Sequence, residues 1–118
     1  MKTNELTGIA LDLAVAICEG IRVQTDGDER LTMRSNLDYW QPSTDWAQGG
    51  AIIEREEMTI EHTVDVNKTY WKAWCWIDGE DAQAYGYGKT PLVAAMRCYV
   101  ASKLGDEVEV PEELMTTA

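Results

Sequence analysis

The segment from Tyr39 to Gln48 is rich in residue types that bind small ligands in proteins. Its aromatic rings can stack on a planar group, and a helix that begins there offers backbone donors to an anion. Ser43 and Thr44 are common at helix starts, and Asp45 suits the positive end of a helix. Because Asp45 repels phosphate, it would have to recognise a base or a sugar hydroxyl. The candidate binding site has eight members: Tyr39, Trp40, Ser43, Thr44, Asp45, Trp46, Gln48 and Arg97.

A second cluster of aromatic residues lies in the stretch TYWKAWCWIDG, from Thr69 to Gly79. Alternate side chains of a strand point to opposite faces, so Trp71 and Cys75 share a core face. The other face, continued on the next strand, is named here the aromatic face; its members are Tyr70, Trp74, Trp76, Tyr85 and Tyr87. Exposed tryptophan and tyrosine anchor protein interfaces. Two alternatives are that the middle helix covers this face and that two copies of the chain pair through it.

Signatures of catalysis and of metal binding are missing from the sequence. There is one histidine, His62, at a core-facing strand position, and there is neither a CxxC pair nor an HExxH motif. The segment GYGKT, residues 86–90, ends like a phosphate-binding loop but lacks the earlier glycine of that motif. The helix start at Thr90 is still a candidate for binding an anion. We therefore expect no enzyme activity, no metal ion and no cofactor.

The net charge of −11, from 21 acidic and 10 basic residues, restricts the partners of the chain. Such a charge repels the phosphates of nucleic acids and the headgroups of anionic lipids, so we expect no nucleic acid and no membrane partner. It favours solubility, and the sharper alternative is a partner with a basic surface. No signal-peptide pattern and no membrane-length apolar stretch are present, so we expect a cytoplasmic protein.

The three cysteines, Cys18, Cys75 and Cys98, lie far apart in the sequence and inside apolar segments. An odd number without close spacing is not typical of a disulfide framework. We expect buried, reduced thiols.

The first half of the chain alternates helices with short strands. Apolar residues at helical spacing predict a helix over residues 7–19, which Thr7 caps and Gly20 ends. The stretch IRVQTDGDERLTMR predicts a short hairpin with a charged tip, and NLDYW predicts a short strand. A helix should follow the STD triplet. Its paired glycines, Gly49 and Gly50, indicate either a break or a close backbone approach.

The second half begins with a three-stranded meander. The strand MTIEHTVDV alternates, and its core-facing members are expected to be Met58, Ile60, His62, Val64 and Val66. A two-residue turn at residues 67–68 would place His62 opposite Ala73. A second tight turn would place Trp76 opposite Gln83 on the third strand.

The last helix has the clearest boundaries, because Thr90 caps it, Pro91 takes its first position and Gly105 ends it. Its core stripe is expected to be Leu92, Ala95, Met96, Tyr99 and Leu104. We expect residues 1–105 to form one domain and residues 106–118 to form an acidic, partly disordered tail. The predicted class is α+β, with an antiparallel three- to four-stranded sheet packed with helices in the order α-β-α-β-β-β-α. A three-layer α/β/α sandwich is one arrangement of these elements.

Three segments of the chain resemble the NinX-like bacteriophage proteins, which are encoded in the nin region of lambdoid phages. They are ELTGIALDLAVAICEG, PSTDWAQGGAIIERE and KTPLVAAMRCYVASKLGDEVEVPEEL, together about half of the sequence. The STD-containing helix start and the TP-initiated last helix are also similar, more loosely, to phage α-β-α sandwich domains. The resemblance implies a phage or prophage origin and action inside an infected bacterium. It implies no particular reaction.

These observations favour one function and leave one alternative. The favoured function is that of a non-enzymatic accessory protein that binds a host or phage protein and modulates host physiology or defence. The alternative is a small-ligand binder, such as a counter-defence protein that sequesters a nucleotide. A closed pocket around six of the candidate site residues would favour a small ligand; these are Tyr39, Ser43, Thr44, Asp45, Trp46 and Arg97. A flat, exposed aromatic face would favour a protein partner or a second copy of the chain.

Overall fold

The computed structural model describes residues 1–25 and 30–109, which fold into three α-helices and two antiparallel three-stranded sheets. The helices are α1 (Gly8–Glu19), α2 (Trp46–Arg55) and α3 (Pro91–Leu104), with a short 3-10 helix at Thr3–Glu5. The strands are β1 (Val23–Thr25), β2 (Leu31–Met33) and β3 (Tyr39–Trp40) in the first sheet, and β4 (Thr59–Val64), β5 (Thr69–Trp76) and β6 (Gln83–Gly88) in the second. The predicted α+β class and element order are confirmed. The hairpin and short strand predicted before α2 join as a sheet of their own.

Helix α3 is the centre of the core because it is apolar on nearly all sides. One side packs on β5 and β6, and the other sides contact α1 and α2. Ala94, Met96 and Cys98 have no exposed surface. Leu104, predicted for the core stripe, is instead 39% exposed because it ends the helix. The layers are therefore the second sheet, then α3, then α1 with α2.

The ends of α1 and α3 lie where local signals predict them. Helix α1 begins after Thr7 and ends at Gly20, whose φ of 70° is a left-handed conformation that suits glycine. The hydroxyl of Thr90 accepts a hydrogen bond from the backbone N–H of Val93 at 3.1 Å, and Pro91 follows as the first helical residue. Both caps satisfy backbone groups that a helix end leaves without partners.

The β4–β5 hairpin differs from the prediction by two residues. His62 pairs with Trp71 rather than with Ala73. The reason is a longer loop, which the N–H of Asp65 closes by donating to the carbonyl oxygen of Lys68 at 2.8 Å. Because the side-chain period of a strand is two, this shift leaves every side chain on its predicted face. The register predicted for β5 against β6 is confirmed.

The core-facing side of β4 is buried only at its start. Met58 and Ile60 pack against the core, whereas His62 is exposed and Val64 and Val66 are 72% and 93% exposed. A helix about 10 Å wide covers roughly two strands that lie about 4.8 Å apart. Since α3 lies over β5 and β6, the tip of β4 extends beyond it. His62 and Val64 therefore lie on the predicted face of the sheet but are not buried, and Val66 lies in the loop after β4, so the prediction of a fully buried face is wrong for these three residues.

The paired glycines do not break α2, and a close backbone approach explains the first of them. A Cβ atom on Gly49 would lie 2.4 Å from the carbonyl oxygen of Pro42 and 2.6 Å from Cδ2 of Leu92. The missing side chain therefore lets α2 lie directly against the preceding segment and against α3. Gly50 has more room, because its Cβ would lie 3.7 Å from Cε3 of Trp46.

The residues that follow α3 return to the N-terminus. Lys2 and Glu107 form an isolated β-bridge, and the N–H of Val108 donates to the carbonyl oxygen of Met1 at 2.8 Å. The hydroxyl of Thr3 donates to the carbonyl oxygen of residue 105 at 2.6 Å. Most of the predicted acidic tail, residues 110–118, lies outside the described residues. So does the charged tip of the first hairpin, residues 26–29.

All three cysteines are free thiols. Cys75 and Cys98 are buried, as predicted, with their Sγ atoms 3.5 Å apart between β5 and α3. The hydrogen bond to Cys75 and burial both raise the pKa of Cys98. Cys18 is only half-buried, because it lies near the C-terminal end of α1.

Candidate functional site

Two predicted site residues, Trp40 and Ser43, have structural roles. Trp40 is 6% exposed, and its Nε1 donates to the carbonyl oxygen of Asp12 at 2.9 Å. Ser43 is buried, and its backbone N–H donates to Oδ1 of Asp12 at 2.9 Å. These bonds fix the segment before α2 to helix α1. Neither side chain is placed to make the first contact with a ligand.

Asp12 is an important residue that sequence reasoning missed. It is 7% exposed, and burial raises its pKa from the ordinary 3.8 to about 6, although hydrogen bonds from Ser43 lower it. The available signal was a carboxylate between two leucines, on the apolar part of α1. Because the carboxylate is held by internal hydrogen bonds, it organises the segment before α2.

Asp45 and Gln48 are also used within the protein. Asp45, and not the hydroxyl residues before it, caps α2, since its carboxylate accepts from the N–H of Ala47 at 2.8 Å. Oε1 of Gln48 accepts from the N–H of Gln41 at 2.7 Å, and Nε2 donates to the carbonyl oxygen of Tyr39 at 2.7 Å. These polar groups hold the loop before α2 in place.

Tyr39 and Trp46 are the exposed aromatic residues of the predicted site, with 43% and 57% of their surface accessible. The guanidinium of Arg30 lies 4.8 Å from the ring centroid of Tyr39. Thr44 borders two shallow hollows of about 190 and 240 Å³. Both volumes are below the roughly 300 Å³ at which small-ligand pockets begin. The described residues therefore form no closed pocket around this segment, and its role in binding stays a prediction.

Arg97 lies apart from the other seven predicted site residues. Its Nε donates to the carbonyl oxygen of Leu6 at 2.9 Å, and its Nη1 donates to that of Tyr87 at 2.6 Å. Burial lowers its pKa. Arg97 borders a cleft of about 690 Å³ at the end of the second sheet where β5 begins and β6 ends, named here the Arg97 cleft. The cleft is lined by Asn4, Thr7, Lys68, Thr69, Tyr70, Tyr87, Gly88, Lys89, Val93 and Arg97.

The lining of the Arg97 cleft carries three cationic side chains and no acidic one, although the chain has twice as many acidic as basic residues. The cations are Lys68, Lys89 and Arg97. Nζ of Lys68 lies 5.6 Å from the ring centroid of Tyr70, and the rings of Tyr70 and Tyr87 are 6.1 Å apart at an angle of 62°. Sequence reasoning missed Lys68 and did not join Lys89, in the GYGKT segment, to the predicted site, because only the fold brings the β4–β5 loop next to the start of α3.

The aromatic face lies on the side of the second sheet opposite α3 and is open to solvent. Trp76 is 58% exposed, and Tyr85 and Tyr87 are 37% and 39% exposed. Tyr70 and Trp74 are half-buried by their neighbours on the same face. Trp74 and Trp76 meet edge to face, with ring centroids 6.4 Å apart. Helix α2 packs against α3 and leaves this face uncovered.

The part of the chain that the structure describes lacks the features of a metal site and of a membrane-spanning helix. Within residues 1–25 and 30–109, no three His, Cys, Asp or Glu side chains are grouped so that they could hold a metal ion. No helix in this part of the chain is long and apolar enough to cross a membrane. His62 lies on the exposed part of β4, with its ring 4.8 Å from that of Trp71.

Comparison with known proteins gives one result on the family. The model of the family described as bacteriophage P22 NinX matches residues 2–103. The matched range begins before the 3-10 helix and extends to the last turn of α3. No curated protein matches the chain significantly in sequence.

Proposed function

The chain belongs to the bacteriophage P22 NinX family, and from that premise we propose that it is a phage accessory protein that acts by binding another protein. Its partner is a host or phage protein, and binding takes place in the cytoplasm of the infected bacterium. The protein catalyses no reaction, and it changes host physiology or defence by occupying its partner. The surface that binds is the aromatic face.

The open aromatic face is the observation that carries this proposal. Large aromatic side chains normally lie in the core, and a contiguous exposed group of them marks an interaction surface. Tryptophan and tyrosine are also the residues on which binding energy at protein interfaces concentrates. Trp76 is the strongest candidate for such an anchor because more than half of its surface, 58%, is free.

The charge of the chain favours a different protein over a second copy as the partner. The turn beside Trp76 carries three exposed acidic residues, Asp78, Glu80 and Asp81. Two copies with a net charge of −11 each would repel one another. A partner with a basic rim around an apolar centre is instead attracted, and complementary charge speeds its association.

We expect replacement of Trp76 with serine to weaken partner binding strongly without affecting the fold. Affinity should fall about 30-fold or more, the loss that corresponds to the roughly 2 kcal/mol typical of an interface anchor. The matched control is Trp46→Ser, since Trp46 is 57% exposed but lies at the start of α2. Tagged wild-type protein and both variants would be used to capture proteins from lysates of phage-infected bacteria. The affinity of the purified partner for each would then be measured by isothermal titration calorimetry.

The proposal requires one protein that wild type and Trp46→Ser retain and that Trp76→Ser loses. Equal retention by all three proteins, or equal loss by both variants, would overturn it. Analytical ultracentrifugation of the wild type tests whether a second copy of the chain binds to the aromatic face instead of a different protein. A dimer that dissociates in the Trp76→Ser variant would mean that the face binds a second copy of the chain instead.

A further inference from the structure

The Arg97 cleft concentrates positive charge in a strongly acidic protein. Three of the 10 basic residues of the chain line it, and none of the 21 acidic residues does. Like charges held close together repel one another, which disfavours such a grouping unless an anion compensates it. Within the described residues, Lys68, Lys89 and Arg97 form no ion pair with a carboxylate, whereas Arg55, Lys72 and Lys103 do.

Arg97 is held in position for a ligand. Its two hydrogen bonds go to the carbonyl oxygens of Leu6 and Tyr87, which orient the guanidinium but leave its positive charge uncompensated. Because Nε and one N–H of Nη1 make these bonds, the two N–H groups of Nη2 and the second N–H of Nη1 remain to donate to a ligand. A guanidinium fixed in this way loses little side-chain freedom when it binds an anion.

The size and walls of the cleft indicate the class of ligand. Its volume of about 690 Å³ suits a small organic molecule rather than a single ion. Tyr70 and Tyr87 add aromatic walls beside the three cations. Arginine and lysine bind phosphate oxygens, and tyrosine rings stack on bases. A nucleoside phosphate combines both features in one small molecule.

We infer that the Arg97 cleft binds a nucleoside phosphate, with Lys68, Lys89 and Arg97 on the phosphates and Tyr70 and Tyr87 beside the base. This site is separate from the anchor of the aromatic face. Tyr70 begins the outward-facing row of β5 and Trp76 ends it, about 20 Å away at about 3.3 Å per residue. Tyr70 and Tyr87 belong to both the cleft and the aromatic face, but Trp76 does not line the cleft, so variants of Trp76 and of the two lysines test partner binding and nucleotide binding separately.

The test is titration of the purified full chain with mono- and triphosphates of the four ribonucleosides, with inorganic pyrophosphate and with adenosine. Binding would be followed by two-dimensional ¹H–¹⁵N NMR and by calorimetry. We expect at least one nucleotide to bind more tightly than pyrophosphate or adenosine, and its affinity to fall as salt is added. The amide signals that shift should be those of residues 68–70 and 87–89.

Variants show whether the cleft is the site. Lys68→Gln and Lys89→Gln should each weaken nucleotide binding about fivefold or more, because each removes a charge-assisted contact. Tyr70→Leu should weaken nucleotides but not pyrophosphate. Two controls should bind like the wild type: Arg34→Gln, which removes an exposed charge before β3, and Trp76→Ser.

Four results would overturn the inference. The first is that no member of the panel binds at millimolar concentration. The second is that the lysine variants bind as well as Arg34→Gln does. The third is that pyrophosphate binds as tightly as the best nucleotide, which would remove the role of the tyrosines. A loss of nucleotide binding in Trp76→Ser would place the ligand on the aromatic face instead.

Discussion

Replacing Gly86 with alanine is expected to lower the free energy of unfolding by about 3 kcal/mol or more, a large part of the stability of a small domain. A Cβ atom on Gly86 would lie 2.1 Å from the carbonyl oxygen of Ala94 and 2.3 Å from the backbone nitrogen of Cys98. Both atoms belong to the backbone of α3, so no side-chain rotation can relieve the overlap. The helix would have to move away from β6, and the core between them would open.

The matched control for this effect is Gly50→Ala in α2. There the new Cβ would lie 3.7 Å from Cε3 of Trp46, which is an ordinary contact. Alanine in a helix interior is favoured over glycine by up to about 1 kcal/mol, so this variant should be slightly more stable than the wild type. Urea unfolding followed by tryptophan fluorescence measures both. If Gly86→Ala unfolds within about 1 kcal/mol of the wild type, α3 does not lie directly on β6.

Helix boundaries could be predicted from the sequence because the signals that set them are local. Thr90 with Pro91, and Gly20 with its left-handed backbone, act on residues within one turn of the chain. The start of α2 shows the limit of such reasoning. Three consecutive residues could cap that helix. Asp45 caps it, whereas Ser43 is buried with its backbone N–H bonded to Asp12, 31 positions away, a contact that no local signal predicts.

The meander shows which parts of a sheet a sequence determines. Alternation assigned each residue of β4 to the correct face, but the loop length that sets the register was predicted as two residues rather than four. Alternation also cannot show how far a face is covered. Val64 has the pattern of a core residue and is 72% exposed, because the width of α3 reaches only the two strands beside it.

The candidate site was the least predictable feature, because residues far apart in the chain create it. Arg97 was selected from the sequence but was grouped with the segment from Tyr39 to Gln48, which the structure places elsewhere. Lys68 gave no local signal, since a lysine in a loop is ordinarily solvated, whereas Lys89 belongs to the GYGKT segment that resembles the end of a phosphate-binding loop. The cleft exists because the start of β5 and the end of β6 lie at the same end of the second sheet, beside the first turns of α3.

Asp12→Asn is expected to stabilise the protein at neutral pH by about 2 kcal/mol, because the buried carboxylate is costly once it is ionised. Burial raises the pKa of Asp12 to about 6, compared with 3.8 in an unfolded chain. The folded protein therefore binds this proton more tightly than the unfolded chain does. The contribution of Asp12 to stability is unaffected below about pH 4, falls as the pH rises from about 4 to 6, and is constant above that range. The shift of the Asp12 pKa from 3.8 to about 6 corresponds to about 3 kcal/mol of stability. The expected gain in Asp12→Asn is smaller, about 2 kcal/mol, because the protein must repack around the new amide group.

The measurement is the free energy of unfolding of wild type and Asp12→Asn from pH 3.5 to 8. In the difference between the two proteins, the contributions of all other titrating groups to the pH dependence cancel. Asparagine keeps the oxygen that accepts from the N–H of Ser43, so the segment before α2 should stay in place. The difference should be small at pH 3.5, grow through pH 4 to 6, and then level off. Asp38→Asn, the same change at an exposed position, should show no such rise. A stability difference between wild type and Asp12→Asn that does not depend on pH would mean that Asp12 is not the buried carboxylate described above. If Asp12→Asn is less stable than the wild type at every pH, the charge of Asp12 strengthens its bond to Ser43 by more than its burial costs.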